Sequence, residues 1–420
     1  MRIWLITVGE PLGIVAGERP WRTGLLAREL ARRGHQVTWW TSRLDHFTKR
    51  AFSHPDRLPI QSGLDVLFLE GIPYRRNISV RRFVNHLQLA RHFADRARRE
   101  PPPELIVASL PALELARAAV RFGAAHDVPV IVDVRDLWPD EMYAQLPGPL
   151  RWLGPAVFFP LDRMADEALA GATAVVATSD SYLRWAQRRG GREPSQRDLV
   201  LPHGYPDPAV APVDPSATAR AGERLRAAGV DPSRAILWFV GTFVGSIDLG
   251  TAIGAAAAWE ASGRTDIQLV LSGSGERERE WRALAAGLES VVFTGWIDQV
   301  EMRWLAEHAV AGLAAYKSGA LMSVTNKLVE YLGFGLPVIS SLQGDARTLL
   351  EEGDCGVTYA PGEEQALRAA VAGLLADPSR RRQMGANARG LFELDFRADV
   401  VYSKYADHIE RIRVSSPSPP

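Results

Sequence analysis

Cysteine is almost absent: Cys355 is alone among 420 residues. No internal disulfide can form, which fits a reducing compartment such as the cytosol. No run of about 20 apolar residues exists, so no membrane-spanning helix is predicted. Net charge is also missing. The chain balances 49 basic against 49 acidic side chains, which argues against a dedicated nucleic-acid binder. Met1–Val8 is too short for a signal peptide and runs straight into a glycine loop. That loop is no GxGxxG fingerprint, because Gly9, Gly13 and Gly17 are wrongly spaced and the loop is too long, which weakens a dehydrogenase reading. No Asp-x-Asp occurs in a ligand-loop context, so neither metal nor cofactor is expected; Asp133 and Asp136 have two residues between them.

What remains is a globular composition, 46% hydrophobic and 23% charged, in a chain long enough for two or three domains. Short apolar runs alternate with amphipathic stretches. Strands are predicted at Ile3–Val8, Gln36–Thr41, Val66–Leu69, Leu105–Ser109, Val130–Val134 and Ala174–Thr178. Helices are predicted between them at Thr23–Arg33, Val80–Arg99, Pro111–Ala125 and Leu161–Leu169. After a proline-rich linker, Pro202–Pro215, the pattern restarts. Strands are expected at Ile236–Val240, Gln268–Ser272, Val291–Thr294, Ala309–Ala314 and Pro337–Ser340. The helices there are Gly250–Ala261, Glu278–Gly287, Gln299–His308, Asn326–Gly333 and Gln365–Asp377. This alternation predicts an α/β protein of two Rossmann-like domains facing each other, with ligand between them at the carboxyl ends of the strands. The expected boundaries are 1–205 and 206–395. A helix over 396–414 follows, packing back on the first domain, and 415–420 forms a disordered tail.

The densest chemistry lies in Thr325–Ser340, a helix that starts at a polar loop and ends at glycine. Free backbone N–H groups at its start, around Ser323, Val324, Thr325 and Asn326, suit phosphate oxygens. Lys327 adds a cation, and Glu330, one turn on, offers a carboxylate to ribose hydroxyls. An ordinary surface Lys–Glu pair is the competing reading. Gly241, Gly245, Gly273 and Gly275 follow predicted strands, either to let backbone approach a ligand or as simple turn residues. In the front half, Arg22 near the first helix is a candidate cation for the cleft, with Gly13 and Gly17 in the loop before it. Asp136 stands just past a buried strand, where it could orient or deprotonate an acceptor hydroxyl. Asp133 either caps a turn or pairs with Arg135, which could instead meet an acceptor phosphate. His203 is a junction residue or a buried structural histidine. His35 reads as a turn residue only. Tyr74–Arg99 holds eight arginines against one aspartate, with Phe83, Leu87, Leu89, Ala90 and Phe93 as an interrupted apolar stripe. With apolar Leu150–Leu161, it reads as a surface for an anionic membrane or as a solvated helix face.

Taken in order, several short segments carry a resemblance. They are Arg32–Thr38, Asp133–Pro139 (DVRDLWP), Pro202-His203-Gly204, Phe239–Thr242, Gly273–Glu276, Phe293–Trp296 and Asn326–Leu332. The chain resembles the family 4 glycosyltransferases of the GT-B fold, nearest to bacterial surface-polysaccharide members of the N-acetylfucosamine transferase type. The resemblance implies a retaining, metal-independent transferase. It would move a sugar from a nucleotide-diphosphate donor, a UDP-sugar first, to a lipid-linked saccharide at the inner membrane face. It assigns Glu330 to ribose, and Trp296 and Ile297 to the frame of the base; the diphosphate is left to Lys327, Lys317 and the helix N-terminus, with Arg22 as a further candidate. Asp136 falls where relatives keep a catalytic His or Asp. It implies that Gly241, Thr242 and Gly245 line the donor. Two departures stand out. The first of the family's two glutamates would fall at Met322, leaving amides near Ser323 and Val324 to hold the sugar. The loop 241–248 also lacks the usual arginine and lysine. A sugar-nucleotide epimerase and a non-catalytic nucleotide-binding paralogue are the other classes this fold admits.

Overall fold

The structure is a computed structural model and describes residues 1–14, 19–76, 79–144, 146, 148–208 and 214–414. Gly17, the 415–420 tail and the middle of the expected linker lie outside the described residues. The chain divides into two compact units, residues 1–202 with 401–420, and residues 203–400.

The first unit holds an eight-stranded sheet. Its strands are β1 (Arg2–Ile6), β2 (Gln36–Ser42), β3 (Arg57–Gln61), β4 (Leu64–Leu69), β5 (Leu105–Leu110), β6 (Val130–Val134), β7 (Ala174–Ala177) and β8 (Leu199–Val200). Their order is β3-β4-β2-β1-β5-β6-β7-β8, parallel throughout except for β3 against β4. Helices cover both faces, so β5 and β6 are buried at every position and read as unbroken apolar runs. Trp4, Trp40 and Phe93 lock one face with edge-to-face contacts. The last helix, Ala398–Val414, belongs to this unit's contacts. Arg33 bonds Asp407 at 2.6 Å, and His35 Nε2 lies 2.9 Å from Glu410. Those bonds give His35 a role in the packing of that helix.

The second unit holds six parallel strands in the order β11-β10-β9-β12-β13-β14. They are β9 (Ala235–Val240), β10 (Ile267–Ser272), β11 (Val291–Gly295), β12 (Ala309–Ala314), β13 (Val338–Ser340) and β14 (Gly356–Thr358). Trp238, Phe239, Phe243, Trp281 and Tyr331 are almost fully buried at its centre.

Strand order reverses between β1 and β5 in the first sheet and between β9 and β12 in the second. At such switch points the connections leave in opposite directions and open a crevice at the carboxyl ends of the strands. The residues with chemistry gather at these two places.

Several elements differ from the sequence expectation. The helix predicted at Leu161 starts at Gly154 and carries Pro160 inside it. Helices at Asp180–Gly190, Pro215–Ala227, Asp345–Glu352 and Pro378–Leu391 were not anticipated. The second of these begins where the linker was expected to end, because the Asp214 side chain caps Ser216 N–H and Pro215 takes the first helical position. Among the described residues, no helix is long and apolar enough to cross a membrane.

Candidate functional site

The β9/β12 switch point is built around the helix Asn326–Gly333. Tyr331 fixes this helix to the sheet. Its ring fills the space above Gly312, where a Cβ would lie 2.3 Å from the ring. Its Oη accepts from Val240 N–H and donates to Trp238 O, both at 3.0 Å. The helix therefore starts directly over the gap between the two strands. Thr325 precedes it with extended backbone and no side-chain cap, so the first-turn N–H groups lack that partner. Thr325 Oγ1 accepts from Tyr316 Oη at 3.3 Å.

Lys327 does not reach solvent as a surface residue would. It is 8% exposed, and its Nζ sits 3.5 Å from the centroid of the Phe239 ring. A Cβ on Gly241 would come within 2.8 Å of that Nζ. Burial lowers the amine to about 7, against the pull of Glu330. Glu330 is half-buried on the same helix. The surface-pair reading of Lys327 and Glu330 fails on the lysine's burial.

The glycines divide into two kinds. Gly273 and Gly275 are dictated by loop-on-loop packing. A Cβ at Gly273 would lie 2.0 Å from Gly241 O, and one at Gly275 would lie 2.5 Å from Phe243 O. The backbones exchange Gly241 N–H to Ser272 O and Phe243 N–H to Ser274 O. Gly245 is exposed and uncrowded, as is Thr242, so this loop presents backbone to solvent. Arg277, which sequence reasoning passed over, donates its N–H to Phe243 O and places a guanidinium beside the loop. That guanidinium is engaged by Glu280. Trp296 is 80% exposed after β11, whereas Ile297 is buried in the core. Ile297 therefore supports the loop, and Trp296 offers a free ring face.

Ser323 is buried and donates its hydroxyl to Asp345 Oδ2 at 2.8 Å. Val324 packs against the core. Asp345 brings a carboxylate next to the position after Met322, where the sequence comparison found an acid missing. Its signal in sequence was only Gly344-Asp345 after a short buried strand.

In the first unit, Arg22 is neither a free cation nor a solvated one. It is 2% exposed and grips Asp133 with Nε and Nη2 at 2.9–3.2 Å. Its Nη1 donates to Pro202 O, and its guanidinium lies 5.3 Å from the Tyr405 ring. Arg135 also binds Asp133, at 2.8 Å, and pairs with Glu10. Glu10 in turn accepts from Thr23 N–H and Oγ1. The expectation of Arg22 and Arg135 as ligand cations gives way to a buried quartet. Two arginines and two carboxylates neutralise each other and fix the first glycine loop to the first helix. Gly13, at φ +64°, stays in that loop with its carbonyl held by Arg28. Burial would push Asp133 up, but Arg22 and Arg135 hold it at about 2.

Asp136 is different. Three residues on, the residue is exposed overall, but burial of its carboxyl raises that group above the ordinary carboxylate range, against the pull of Arg135 and Arg82. Glu141 lies nearby, half-buried, and is pushed up to about 8 by desolvation and then by the Asp136 carboxylate. Arg82 stacks 4.6 Å from the Trp138 ring, which turns it inward. His203 is half-buried at the start of the second unit. Leu89 and Phe93 of the arginine-rich helix are core residues and Phe83 and Ala90 are half-buried, so the expected apolar stripe faces inward except at Leu87. Val80, Val84 and Leu87 are exposed on its outer side, and Trp152, Val157 and Phe159 are exposed on or just before the helix Gly154–Ala170.

Comparison with known proteins matches both units. Residues 20–204 match the family model "Glycosyl transferase 4-like domain" and residues 234–377 match "Glycosyl transferases group 1". A phosphatidyl-myo-inositol mannosyltransferase of Mycobacterium leprae is 28% identical over 158 residues, 36% of this chain. The chain spans only 41% of the length of that curated relative. A sucrose-phosphate synthase from Thermosynechococcus elongatus superposes with a TM-score of 0.77 at 19% identity, over 99% of this chain and 100% of its own. HepE of Anabaena, solved with UDP-glucose, gives 0.68 at 17% over 98% and 100%. WaaG, a glycosyltransferase involved in lipopolysaccharide biosynthesis, gives 0.66 at 18% over 97% and 99%. The structural likenesses establish the fold. With the two family models spanning most of the chain, one largely on each unit, the protein is a glycosyltransferase of the GT-B fold, belonging with the group 1 and 4-like families.

Proposed function

We propose that the protein transfers a sugar from a nucleoside-diphosphate donor, a UDP-sugar in the first instance, to a lipid-linked or growing saccharide. The observation that carries this reading is the helix Asn326–Gly333 over the β9/β12 crevice, with Lys327 buried beneath it and Glu330 one turn on. An anionic diphosphate at that crevice meets the helix N-terminus and an amine, and the ribose meets a carboxylate. That HepE was solved with UDP and UDP-glucose supports a uridine donor. Transfer with retention follows if the leaving diphosphate helps take the acceptor proton. Stabilisation of that diphosphate is then the main catalytic contribution. Asp136, on the first unit, is the proposed group for orienting the acceptor hydroxyl.

The test is a panel of nucleotide sugars incubated with purified protein and lipid-linked acceptors, with and without a chelator. Product that needs acceptor and survives chelation supports metal-independent transfer. Isomerised donor without acceptor would indicate an epimerase, and nucleotide binding without turnover a non-catalytic paralogue. Glu330→Ala is expected to weaken binding of the free nucleotide about 10–100-fold, the scale of losing hydrogen bonds to a charged group. Unchanged affinity in a titration would remove Glu330 from the ribose.

A role in bacterial surface-polysaccharide synthesis, at the cytoplasmic face of the inner membrane, belongs to the same proposal. Outward Val80, Val84 and Leu87, beside the exposed arginines 75, 76 and 81, give the first unit a basic and partly apolar surface. Arg82 is excluded from it by its inward packing. Replacing arginines 75, 76 and 81 with glutamine should cut binding to phosphatidylglycerol vesicles by at least tenfold at about 1 kcal/mol per charge. Equal sedimentation of both proteins with vesicles would leave these arginines as a solvated face.

A further inference from the structure

Lys327 holds its amine in a setting that disfavours the charged form. The side chain is more than nine-tenths buried. It stands at the second position of a helix, where the positive end of the macrodipole repels a cation. Burial is the larger influence on the amine, and the Glu330 carboxylate on the same helix acts against it. Its surroundings contribute few titratable groups. From β9 come the Phe239 ring and the Gly241 backbone, which are neutral. From the loop after β12 comes Tyr316, 5.8 Å away, whose phenol burial pushes up to about 12. From its own helix come Tyr331, which burial holds protonated, and Glu330, whose carboxylate draws the amine toward its charged form. The ring faces of Phe239 and Tyr316 attract an ammonium, but they do not replace water or a carboxylate.

We infer that a nucleoside diphosphate entering the β9/β12 crevice draws a proton onto Lys327, so that donor binding and proton uptake are one event. This rests on the donor reading above. The free amine, at about 7, is largely neutral in mildly alkaline solution. The ligand's negative charges raise its proton affinity, as any anion placed beside an amine does. The loop 241–248 carries no base of its own, so more of the charge that meets the diphosphate beside the helix N-terminus falls to the buried Lys327. The sign follows directly. A folded, ligand-free amine at about 7 is already protonated below that pH, and uptake there is small. Above it, each bound ligand must bring in a proton, and affinity falls with rising pH by up to about tenfold per unit.

Calorimetric titration of UDP into the full-length protein tests this at pH 8.5, where UDP itself is fully ionised. The measurement is repeated in phosphate and in Tris, whose ionisation enthalpies differ. Uptake approaching about one proton per UDP is expected, with Kd rising roughly five- to tenfold from pH 7.5 to 8.5. Lys327→Arg keeps a permanent cation, so its uptake should vanish while UDP still binds. UDP binding to the unaltered protein with no proton uptake at pH 8.5 overturns the inference and leaves the donor site standing. Uptake of equal size in Lys327→Arg overturns it as well. Failure of UDP, GDP, ADP and dTDP alike to bind the unaltered protein would instead bring down the donor reading, and the proton coupling with it.

Discussion

Asp133→Ala is expected to destabilise the first unit by about 3–5 kcal/mol, the usual cost of removing one partner from a buried ion pair. Asp133 is 0% exposed, and both Arg22 and Arg135 lean on it. Arg135 would keep Glu10, but Arg22 would be left charged and buried with only Pro202 O and the Tyr405 ring. For a unit of this size the melting transition should fall by roughly 6–20 °C. Thermal unfolding followed by circular dichroism reads this directly; a shift under 2 °C would mean that the pair contributes almost nothing. The acid dependence has a definite sign. Asp133 is depressed to about 2 in the folded state, so its stabilisation is fully present above the ordinary carboxylate range near 4. It is lost as pH falls through about 2. In Asp133→Ala that part of the acid limb should disappear. Joint replacement by Arg22→Met and Asp133→Leu should recover much of the loss, because a packed apolar pair carries no desolvation penalty.

This quartet also marks where sequence reading stops. Arg22 and Asp133 are 111 positions apart, and nothing in either segment names the other. An arginine at the start of a helix reads as a ligand cation until its partner is known. The same limit governs Gly273 and Gly275. Each follows a strand like many ligand-loop glycines, yet a neighbouring backbone carbonyl at 2.0–2.5 Å from a would-be Cβ excludes any side chain there. Strands such as β5 and β10 were plain in the sequence because parallel sheets covered on both faces need unbroken apolar runs. β3 was hidden because it is an antiparallel edge strand, partly exposed and carrying Pro59. β8 and β14, of two and three residues, are too short to show a period. Asn326–Gly333 was legible in full, since its polar start, its apolar face and the glycine turn after it lie within a dozen residues. Its depth was not: only the fold shows that Lys327 turns into the sheet.

Asp136→Asn is expected to depress turnover and to shift the titration of its neighbour Glu141, while leaving stability and nucleotide binding nearly unchanged. Asp136 follows the end of β6 by two residues, whereas Asp133 lies within it; residue 136 is exposed overall, yet its carboxyl is raised by burial against the pull of Arg135 and Arg82. The isosteric amide keeps the shape and removes a charge that burial disfavours, so stability should change by no more than about 1 kcal/mol. Nucleotide affinity should likewise hold within about twofold, since the proposed donor crevice lies on the other unit. If Asp136 takes or orients the acceptor proton, kcat should fall about 10²–10⁴-fold, the range for loss of general-base help. Glu141 sharpens the test. Its carboxyl is held up to about 8 by desolvation and by the Asp136 charge, and burial raises the Asp136 carboxyl too, so the two acids titrate as a pair. Removing the Asp136 charge should lower the Glu141 titration, and a merely structural Asp136 would not move a pH–rate profile in step with it. Steady-state rates across pH 5.5–9, with the donor and acceptor from the panel, give both readings at once. A full kcat with an unshifted profile would return Asp136 to the surface and leave the diphosphate alone to take the acceptor proton.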